Sequence, residues 1–246
     1  IRCREEDLPG FLAGLDATWA GFSLTMPLKR AALPLMDEVT PLAAATGAIN
    51  TIVVAGGRLT GDNTGVAGML EALREAGVQR PASAVILGAG GTAATALAAV
   101  SELGLTEATV LARTPSRAEP LRAAANRLGV HIAVRPWEAA PQHINAADLL
   151  ISAVPPHAAD ELAPHLAGFH GTLLDVVYHP WPTRLAATAP AAGANVVGGL
   201  TMLLHQAARQ VTLQTGHAPV PLAALLAAAL AAMNHAHSAP PRSRRA

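Results

Sequence analysis

A strand–turn–helix unit over residues 84–103 constrains the fold more than any other part of the sequence. Its apolar first residues predict a buried strand, and Gly88, Gly90 and Ala93 then follow in the pattern G-x-G-x-x-A, with Gly91 between them. In this pattern the first glycine permits a tight turn, the second lets a pyrophosphate approach the backbone, and the small third residue keeps the helix close to the strand. The order strand, turn and helix therefore predicts a dinucleotide at the helix N-terminus. The alternative is a glycine-rich turn that binds no ligand.

The residues after the second strand of this unit discriminate between two forms of the dinucleotide. A site for NAD usually carries Asp or Glu about 20 residues past the glycines, to accept a hydrogen bond from the ribose 2′-hydroxyl. Residues 111–118 contain no acid and instead provide Arg113, Arg117 and the hydroxyl of Thr114. Two guanidinium groups suit a 2′-phosphate, so the pattern predicts NADP as the cofactor. The alternative is a pair of solvated surface arginines.

Strands and helices alternate over residues 81–198, with helices predicted over 92–103, 116–128, 138–146, 158–167 and 183–190. This alternation predicts an α/β fold class with a Rossmann-like, doubly wound parallel sheet. Residues 1–80 predict a second, smaller α/β domain, in which a β-hairpin covers 48–60. The glycines of 61–68 then indicate a turn before a helix over 69–76. Residues 199–237 predict two successive helices, and the basic, proline-containing tail 238–246 predicts disorder.

Composition excludes several classes of partner. The 246-residue chain has a formal net charge of zero and no basic stripe interleaved with aromatic residues, which argues against nucleic acid. The most apolar helix, over 221–233, is too short to span a bilayer, so no membrane partner is expected. The ten histidines show no metal-ligand spacing, so no metal site is expected either. One cysteine, Cys3, excludes an internal disulfide and fits a reducing compartment, which predicts a cytoplasmic protein.

Seven motifs, in the same order along the chain, resemble those of the shikimate dehydrogenase family. The family pattern N-V-T-x-P-x-K appears as S-L-T-M-P-L-K at 23–29, G-A-V-N-T as G-A-I-N-T at 47–51, and G-x-N-T-D-x-x-G as G-D-N-T-G-V-A-G at 61–68. The pattern G-A-G-G-x-A appears as G-A-G-G-T-A at 88–93, N-R-T-x-x-R-A as A-R-T-P-S-R-A at 112–118, D-x-x-Y-x-P-x-x-T as D-V-V-Y-H-P-W-P-T at 175–183, and G-x-x-M-L-x-x-Q-A as G-L-T-M-L-L-H-Q-A at 199–207. The resemblance implies reversible hydride transfer between NADPH and the 3-keto group of 3-dehydroshikimate, giving shikimate on the pathway to chorismate and the aromatic amino acids. It also implies a cleft between the two domains, with the last two helices packing back on the first domain.

The resemblance further implies roles for individual residues. Lys29 matches the catalytic lysine, whose ammonium would polarise the ketone and donate a proton to the developing alkoxide. Thr25, Asn50 and Gln206 match residues that hydrogen-bond the hydroxyl or carboxylate groups of the substrate. Tyr178 matches a tyrosine of the cleft.

The chain departs from the family pattern at two places. Gly65 stands where the N-T-D motif has the aspartate that pairs with the lysine, and Asp62 reaches the lysine only if its turn is rearranged. The family also has a strand and a carboxylate-binding Ser-x-Ser element well before the first motif, whereas 22 residues precede Ser23 here. We therefore expect a substrate domain that is incomplete at its N-terminus. At the cofactor site the resemblance adds Gly199.

Three functions are open from the sequence alone. The first is an NADP-dependent shikimate dehydrogenase acting on shikimate or 3-dehydroshikimate. The second is a non-catalytic or impaired paralogue that binds a nucleotide or a shikimate-like ligand, which Gly65 motivates. The third is a quinate or shikimate dehydrogenase of broader specificity. For each of them the chain is either a monomer or a homodimer.

Overall fold

The structure is a computed structural model that describes the backbone of residues 1–238 and the side chains of residues 1–233. Two β-sheets with helices packed against them confirm the predicted α/β class. The predicted tail 238–246 lies outside the described residues, except for Ser238, which ends the last helix.

The smaller sheet has four strands in the order β1-β3-β4-β2. The strands are β1 (Gly21–Ser23), β2 (Glu38–Val39), β3 (Thr51–Ala55) and β4 (Arg58–Asp62). Four helices accompany this sheet, namely α1 (Leu8–Ala13), α2 (Leu28–Ala31), α3 (Pro41–Thr46) and α4 (Gly65–Glu75). The predicted hairpin is β3 and β4, which pair antiparallel around two glycines with positive φ. Leu8, Ile49 and Ile52 are fully buried and anchor the core of this half.

The larger sheet has six strands, and every neighbouring pair is parallel. The strands are β5 (Ala84–Leu87), β6 (Glu107–Ala112), β7 (His131–Pro136), β8 (Leu149–Ser152), β9 (Thr172–Asp175) and β10 (Asn195–Gly198). Their spatial order is β7-β6-β5-β8-β9-β10, so the direction of winding reverses between β5 and β8. Sheets of this kind bind ligands outside the carboxyl ends of the strands at that reversal point.

Helices cover both faces of the larger sheet, which explains why β5 and β8 are buried along their whole length. The α-helices are α5 (Gly91–Glu102), α6 (Glu119–Leu128), α7 (Ala140–Ile144) and α8 (Arg184–Thr188). Short 3₁₀ helices occur at Leu33–Leu35, Pro115–Arg117, Trp137–Ala139, Asp160–Gly168 and Ala189–Ala192. The inner face of α5 is built from alanines, and their small side chains let this helix pack close to the sheet.

The last two helices are α9 (Gly199–Thr215) and α10 (Leu222–Ser238). α9 starts directly after β10, at the edge of the larger sheet, and then packs against α4 and β3 of the smaller half. α10 packs on α9. None of the helices that the structure describes is long and apolar enough to cross a membrane.

Helix α4 begins at Gly65, four residues before the predicted start at Met69. The glycines of this stretch had indicated a turn, but Gly68 lies inside the helix. A Cβ at Gly68 would meet the carbonyl oxygen of Met202 at 2.5 Å and the backbone nitrogen of Gln206 at 2.9 Å. The glycine therefore serves the close approach of α4 to α9 rather than a turn.

Candidate active site

A cleft of about 810 Å³ opens at the carboxyl ends of β5, β8 and β9 and faces residues 25–30 of the smaller half. A second pocket of about 270 Å³ adjoins it at the ends of β5, β6 and β8. The two pockets share Gly88, Arg117 and Val154 in their walls. The cleft therefore lies at the reversal point where a doubly wound sheet binds its ligand.

Most of the residues predicted for the site meet in these two pockets. Those that line the cleft are Thr25, Lys29, Tyr178, Gly88, Gly90, Gly91 and Arg117. Those that line the smaller pocket are Arg113, Thr114, Arg117 and Gly88. The predicted residues that belong to neither wall are Asn50, Gln206, Ala93 and Gly199.

The glycine-rich turn between β5 and α5 forms a cradle for an anion. Gly88 has φ +101°, and a Cβ there would lie 2.9 Å from the Cγ1 of Val154, so only glycine fits. At Gly90 and Gly91 a Cβ would meet nothing within 4 Å, which leaves open space above the turn. The first N–H groups of a helix have no partner within the helix and carry positive dipole, so the start of α5 suits a pyrophosphate. Ala93 is fully buried and keeps α5 against the sheet.

The smaller pocket is cationic. Arg113 and Arg117 stand in its wall beside the hydroxyl of Thr114. The guanidinium of Arg113 donates a hydrogen bond to the Ala158 carbonyl and lies 5.6 Å from the centroid of the Trp137 ring. Among the described residues, no Asp or Glu lines this pocket or the cleft. The pocket therefore fits a phosphate group better than a free ribose hydroxyl pair.

Lys29 is the only lysine in the sequence, and it lies in the short helix α2 at the wall of the cleft. Its carbonyl accepts a hydrogen bond from the N–H of Ile49 at 2.8 Å, which ties α2 to the segment before β3. Burial lowers the pKa of the Lys29 ammonium below its ordinary value of 10.5. Among the described residues, no carboxylate lies within ion-pairing distance of it.

Asp62 does not stand in for the missing carboxylate. Its Oδ1 accepts hydrogen bonds from the Thr40 hydroxyl at 2.6 Å and from the Asn63 N–H at 2.7 Å. These bonds tie Asp62 to the start of α3, so the turn is not rearranged toward Lys29. At Gly65 itself, a Cβ would lie 3.1 Å from the Asn50 Nδ2.

Asn50 and Gln206 form an amide pair next to this position. Asn50 is only 2% exposed, and its Oδ1 accepts from the Thr64 N–H at 2.9 Å and the Thr51 hydroxyl at 2.8 Å. Its Nδ2 therefore faces Gln206 and donates to Oε1 at 3.0 Å. Because the Oε1 of Gln206 is occupied, the Nε2 of this half-buried residue is left as a donor.

The segment that carries Tyr178 joins β9 to α8, and Tyr178 itself is 46% exposed. Buried Asp175 holds both ends of this segment: its carboxylate accepts from the Val177 N–H at 3.1 Å and from the Thr183 hydroxyl at 2.6 Å. Burial raises the pKa of Asp175 above its ordinary value of 3.8. The N–H of Gly199 donates to the Val177 carbonyl at 3.2 Å, which joins α9 to the same segment.

Sequence reasoning missed three residues that organise the site. Asp175 was part of a motif but was given no role. Gln210 is 5% exposed and binds β1 and β3; its signal was the recurrence of glutamine at four-residue intervals in α9. Trp137 directly follows β7, as Arg113 directly follows β6, and parallel pairing of those strands would have placed them together.

Two family models match the chain. Residues 1–52 match the shikimate dehydrogenase substrate binding domain, and residues 71–159 match shikimate / quinate 5-dehydrogenase.

No group of three or more His, Cys, Asp or Glu side chains within the described residues is placed to hold a metal ion.

Individual relatives resemble the chain over most of its length. The shikimate dehydrogenase (NADP(+)) of Oleidesulfovibrio alaskensis is 40% identical over 223 residues, which cover 86% of this chain and 77% of that protein. The protein of the same name from Thermus thermophilus is 39% identical over 220 residues, which cover 88% of this chain and 80% of that protein.

Two solved structures also resemble the chain over most of its length. The crystal structure of Mycobacterium tuberculosis shikimate dehydrogenase has a TM-score of 0.83 and 39% identity, and covers 93% of this chain and 86% of that one. The Thermus thermophilus shikimate 5-dehydrogenase in complex with NADP(H) and shikimate has a TM-score of 0.76 and 36% identity, with 89% and 82% covered. The chain therefore belongs to the shikimate dehydrogenase family.

Proposed function

We propose that this chain is an NADP-dependent shikimate dehydrogenase, which reduces 3-dehydroshikimate to shikimate and runs in reverse with NADP+. The observation that carries the proposal is the meeting of Lys29 with the glycine-rich turn of Gly88–Thr92 in one cleft. Reduction of a ketone needs a proton donor and a hydride donor at the same carbonyl group. This cleft offers a residue for the first and a binding place for the second.

The residues of the two pockets fit NADP. The open cradle at Gly90 and Gly91, with Gly88 and Ala93 shaping the turn, would hold the pyrophosphate at the start of α5. Arg113, Thr114 and Arg117 would hold the 2′-phosphate in the smaller pocket. Gly199 supports the cofactor side of the cleft through its bond to the Val177 carbonyl. When bound, NADPH supplies the hydride.

Lys29 supplies the proton in this proposal. Its ammonium polarises the ketone, donates a proton to the oxygen as negative charge develops there, and in reverse receives the proton of the shikimate hydroxyl. A guanidinium cannot do this, because it does not lose its proton in proteins. Apart from its histidines, the chain carries arginine at every other basic position and lysine only here, which fits a site that needs a titratable amine.

The substrate is bound by the side chains around Lys29. Thr25 and Tyr178 line the cleft and would bind substrate hydroxyl groups directly. Gln206 lines neither pocket, but its Nε2 is left as a donor and is our candidate to bind an oxygen of the substrate, while Asn50 fixes the orientation of that amide. The cationic lining suits an acid such as shikimate, whose carboxylate finds no competing anion there.

These roles divide the chain into three functional parts. In our proposal residues 1–80 form the substrate-binding domain, residues 81–198 the NADP-binding domain, and residues 199–237 the helices that close on the substrate domain. We also propose a cytoplasmic enzyme that is a monomer or a homodimer, supported by the single cysteine and the use of NADP. Light scattering of the purified chain distinguishes the two assembly states.

The test is NADP+ reduction with shikimate at alkaline pH, followed by the absorbance of NADPH. We expect shikimate-dependent turnover by the wild type and a loss of at least about 100-fold in kcat for both Lys29→Met and Lys29→Arg. Lys29→Arg is the informative control, because it keeps the positive charge and removes only proton transfer. Equal activity of Lys29→Arg and the wild type, or no turnover by a wild type that binds NADP+, contradicts the proposal.

A further inference from the structure

Trp137 has no role in the function proposed above, yet it lies in the wall of the smaller pocket. Strands β6 and β7 run parallel with Ala112 opposite Pro136. The next residue of each strand is therefore at the same edge of the sheet, and these residues are Arg113 and Trp137. The register of these two strands thus places an indole ring beside the arginine of the pocket.

Two contacts hold the Arg113 side chain. Its guanidinium lies 5.6 Å from the centroid of the Trp137 ring, and its Nη2 donates a hydrogen bond to the carbonyl of Ala158. A cation over an aromatic face is attracted by the quadrupole of the ring. Arg113 is otherwise exposed, so without these contacts its long side chain would sample many rotamers.

The ring of Trp137 is fixed more firmly than the arginine above it. Trp137 is 6% exposed and packs in the core beside Leu111 and Ile144. Its indole Nε1 is buried and has no hydrogen-bond acceptor among the described residues. The N–H of the indole therefore contributes no bond, and the face of the ring is the part of the side chain that acts on Arg113.

We infer that Trp137 is a positioning residue for the ribose 2′-phosphate: it holds Arg113 in the orientation in which the guanidinium binds this phosphate. The inference rests on the proposed use of NADP. A guanidinium that is already oriented loses less freedom when it binds, so the ring increases affinity without touching the phosphate. The benefit is confined to ligands that carry a 2′-phosphate.

The test compares two ligands that differ by one phosphate, 2′,5′-ADP and 5′-AMP, by calorimetry on the whole chain without substrate. We expect Trp137→Leu to lower the affinity for 2′,5′-ADP about 10-fold and the affinity for 5′-AMP less than about 2-fold. Trp137→Phe keeps a smaller ring and leaves no hydrogen bond unmade, so we expect an intermediate loss. Trp19→Leu, in the smaller half of the molecule, is the matched control and leaves both affinities unchanged.

A double-mutant cycle with Arg113→Ala tests whether the ring acts through the arginine. We expect Trp137→Leu to add no further loss of 2′,5′-ADP affinity once Arg113 is gone. If Trp137→Leu does not fold, Trp137→Phe replaces it in the cycle. The inference is overturned if the affinity losses of Trp137→Leu and Arg113→Ala add in full in the double variant. It is also overturned if Trp137→Leu lowers the affinity for both ligands equally.

The failure of this inference and that of the proposed function are distinguishable. Shikimate turnover with NADP+ by a wild type whose Trp137→Leu variant retains the preference for 2′,5′-ADP overturns the inference alone. A wild type that binds 2′,5′-ADP no tighter than 5′-AMP overturns the inference and the use of NADP together.

Discussion

At the scale of single residues, our proposal assigns proton transfer in the cleft to Lys29, and Gly65 removes the carboxylate that the family pattern pairs with it. A buried ammonium without a carboxylate partner has a pKa below 10.5, because desolvation disfavours its charged form. A neighbouring carboxylate would act in the opposite direction and stabilise the charge. In the family pattern this carboxylate comes from the position that Gly65 occupies at the start of α4, and glycine has no side chain to supply it.

We predict that Gly65→Asp raises both the pKa of Lys29 and kcat, the latter by about 10-fold or more, because an anion then stabilises the ammonium beside the reacting carbonyl. A Cβ at Gly65 would lie 3.1 Å from the Asn50 Nδ2 and 3.2 Å from the Asn63 Oδ1, so these side chains must shift slightly. Since Lys29 is the only lysine, protein labelled with carbon-13 lysine gives one Cε signal, whose pH titration measures this pKa directly.

Gly65→Asn is the matched control for this prediction. It has the same shape and the same steric cost as Gly65→Asp but no charge, so it should leave the Lys29 pKa below 10.5. Equal effects of Asp and Asn on the titration would show that charge at this position does not reach Lys29.

The residues that touch the cleft were predictable from motifs, and their surroundings were not. Thr25, Lys29 and Tyr178 line the cleft, and their roles there stay predictions. Asn50 is held in its buried position by a hydrogen bond with Gln206, 156 positions away. The spacing of residues within a motif does not reveal such a long-range contact. Trp137 was missed because its role follows from strand register, and no motif contains it.

At the scale of elements, α9 is bound to the smaller sheet by a row of glutamines. Gln206, Gln210 and Gln214 share one face of the helix, as the four-residue interval requires. Gln210 accepts from the Ser23 hydroxyl at 2.8 Å and donates to the Asn50 carbonyl at 3.2 Å. Gln214 donates to the Ile52 carbonyl at 3.2 Å. The row fixes the amide pair of the site from outside the cleft.

We predict that Gln210→Ala lowers the free energy of unfolding by about 2–3 kcal/mol, because it removes three hydrogen bonds made by a side chain that is only 5% exposed. Gln214→Ala, one turn further along, removes a single bond and should cost about 1 kcal/mol. Urea denaturation of the two variants measures the difference. Similar costs at both positions would show that packing, and not the polar bonds, holds the helix.

Asp175 gives the segment between β9 and α8 a pH dependence. Its pKa is raised in the folded protein, so between 3.8 and that raised value the folded state holds a proton that the unfolded state has released. Stability therefore falls as the pH rises through this window. We predict that Asp175→Asn flattens this part of the pH dependence of urea denaturation. Asp160→Asn, at a half-buried neighbouring carboxylate that is the smallest contributor to the raised Asp175 pKa, should flatten it less. A slope that survives in Asp175→Asn would assign it to another group.

The order and type of the elements in the larger sheet followed from alternation, but several helix boundaries did not. The stretch 158–167 was predicted as a helix, and the structure has a 3₁₀ helix at Asp160–Gly168 with Pro164 inside it. Proline removes a backbone donor and crowds the preceding turn, which disfavours a continuous α-helix. The predicted helix over 183–190 ends at Thr188 and continues as a 3₁₀ turn that contains Pro190.

At the scale of the whole molecule, the two halves meet through their helices as well as through the cleft. The Arg127 Nε donates to the Ala45 carbonyl at 3.0 Å, and the Asn63 Nδ2 donates to the Thr95 hydroxyl at 3.3 Å. Cofactor bound at the start of α5 therefore stabilises an element that both halves pack against.

We predict that NADP+ at about 100 times its Kd stabilises the whole chain by about 2.7 kcal/mol, because it binds only the folded state. For a chain of this size that corresponds to a rise in Tm of about 5–10 °C. Thermal denaturation with NAD+ at the same concentration should show a smaller rise. Equal shifts would show that the 2′-phosphate adds no affinity.

The path of α9 across the molecule also bears on how the protein is made. Gln210 reaches back to Asn50, directly before β3 and 160 residues before it in the chain. A ribosome that adds about 5–20 residues per second needs roughly 8–30 seconds to cover that distance. For that interval the strands of the smaller sheet have emerged without the helix that covers them, while the larger sheet, which is continuous in sequence, is being completed. The half of the molecule that is synthesised first is thus the last to complete its fold. Its nascent strands are therefore the part of the chain that we expect a chaperone to bind.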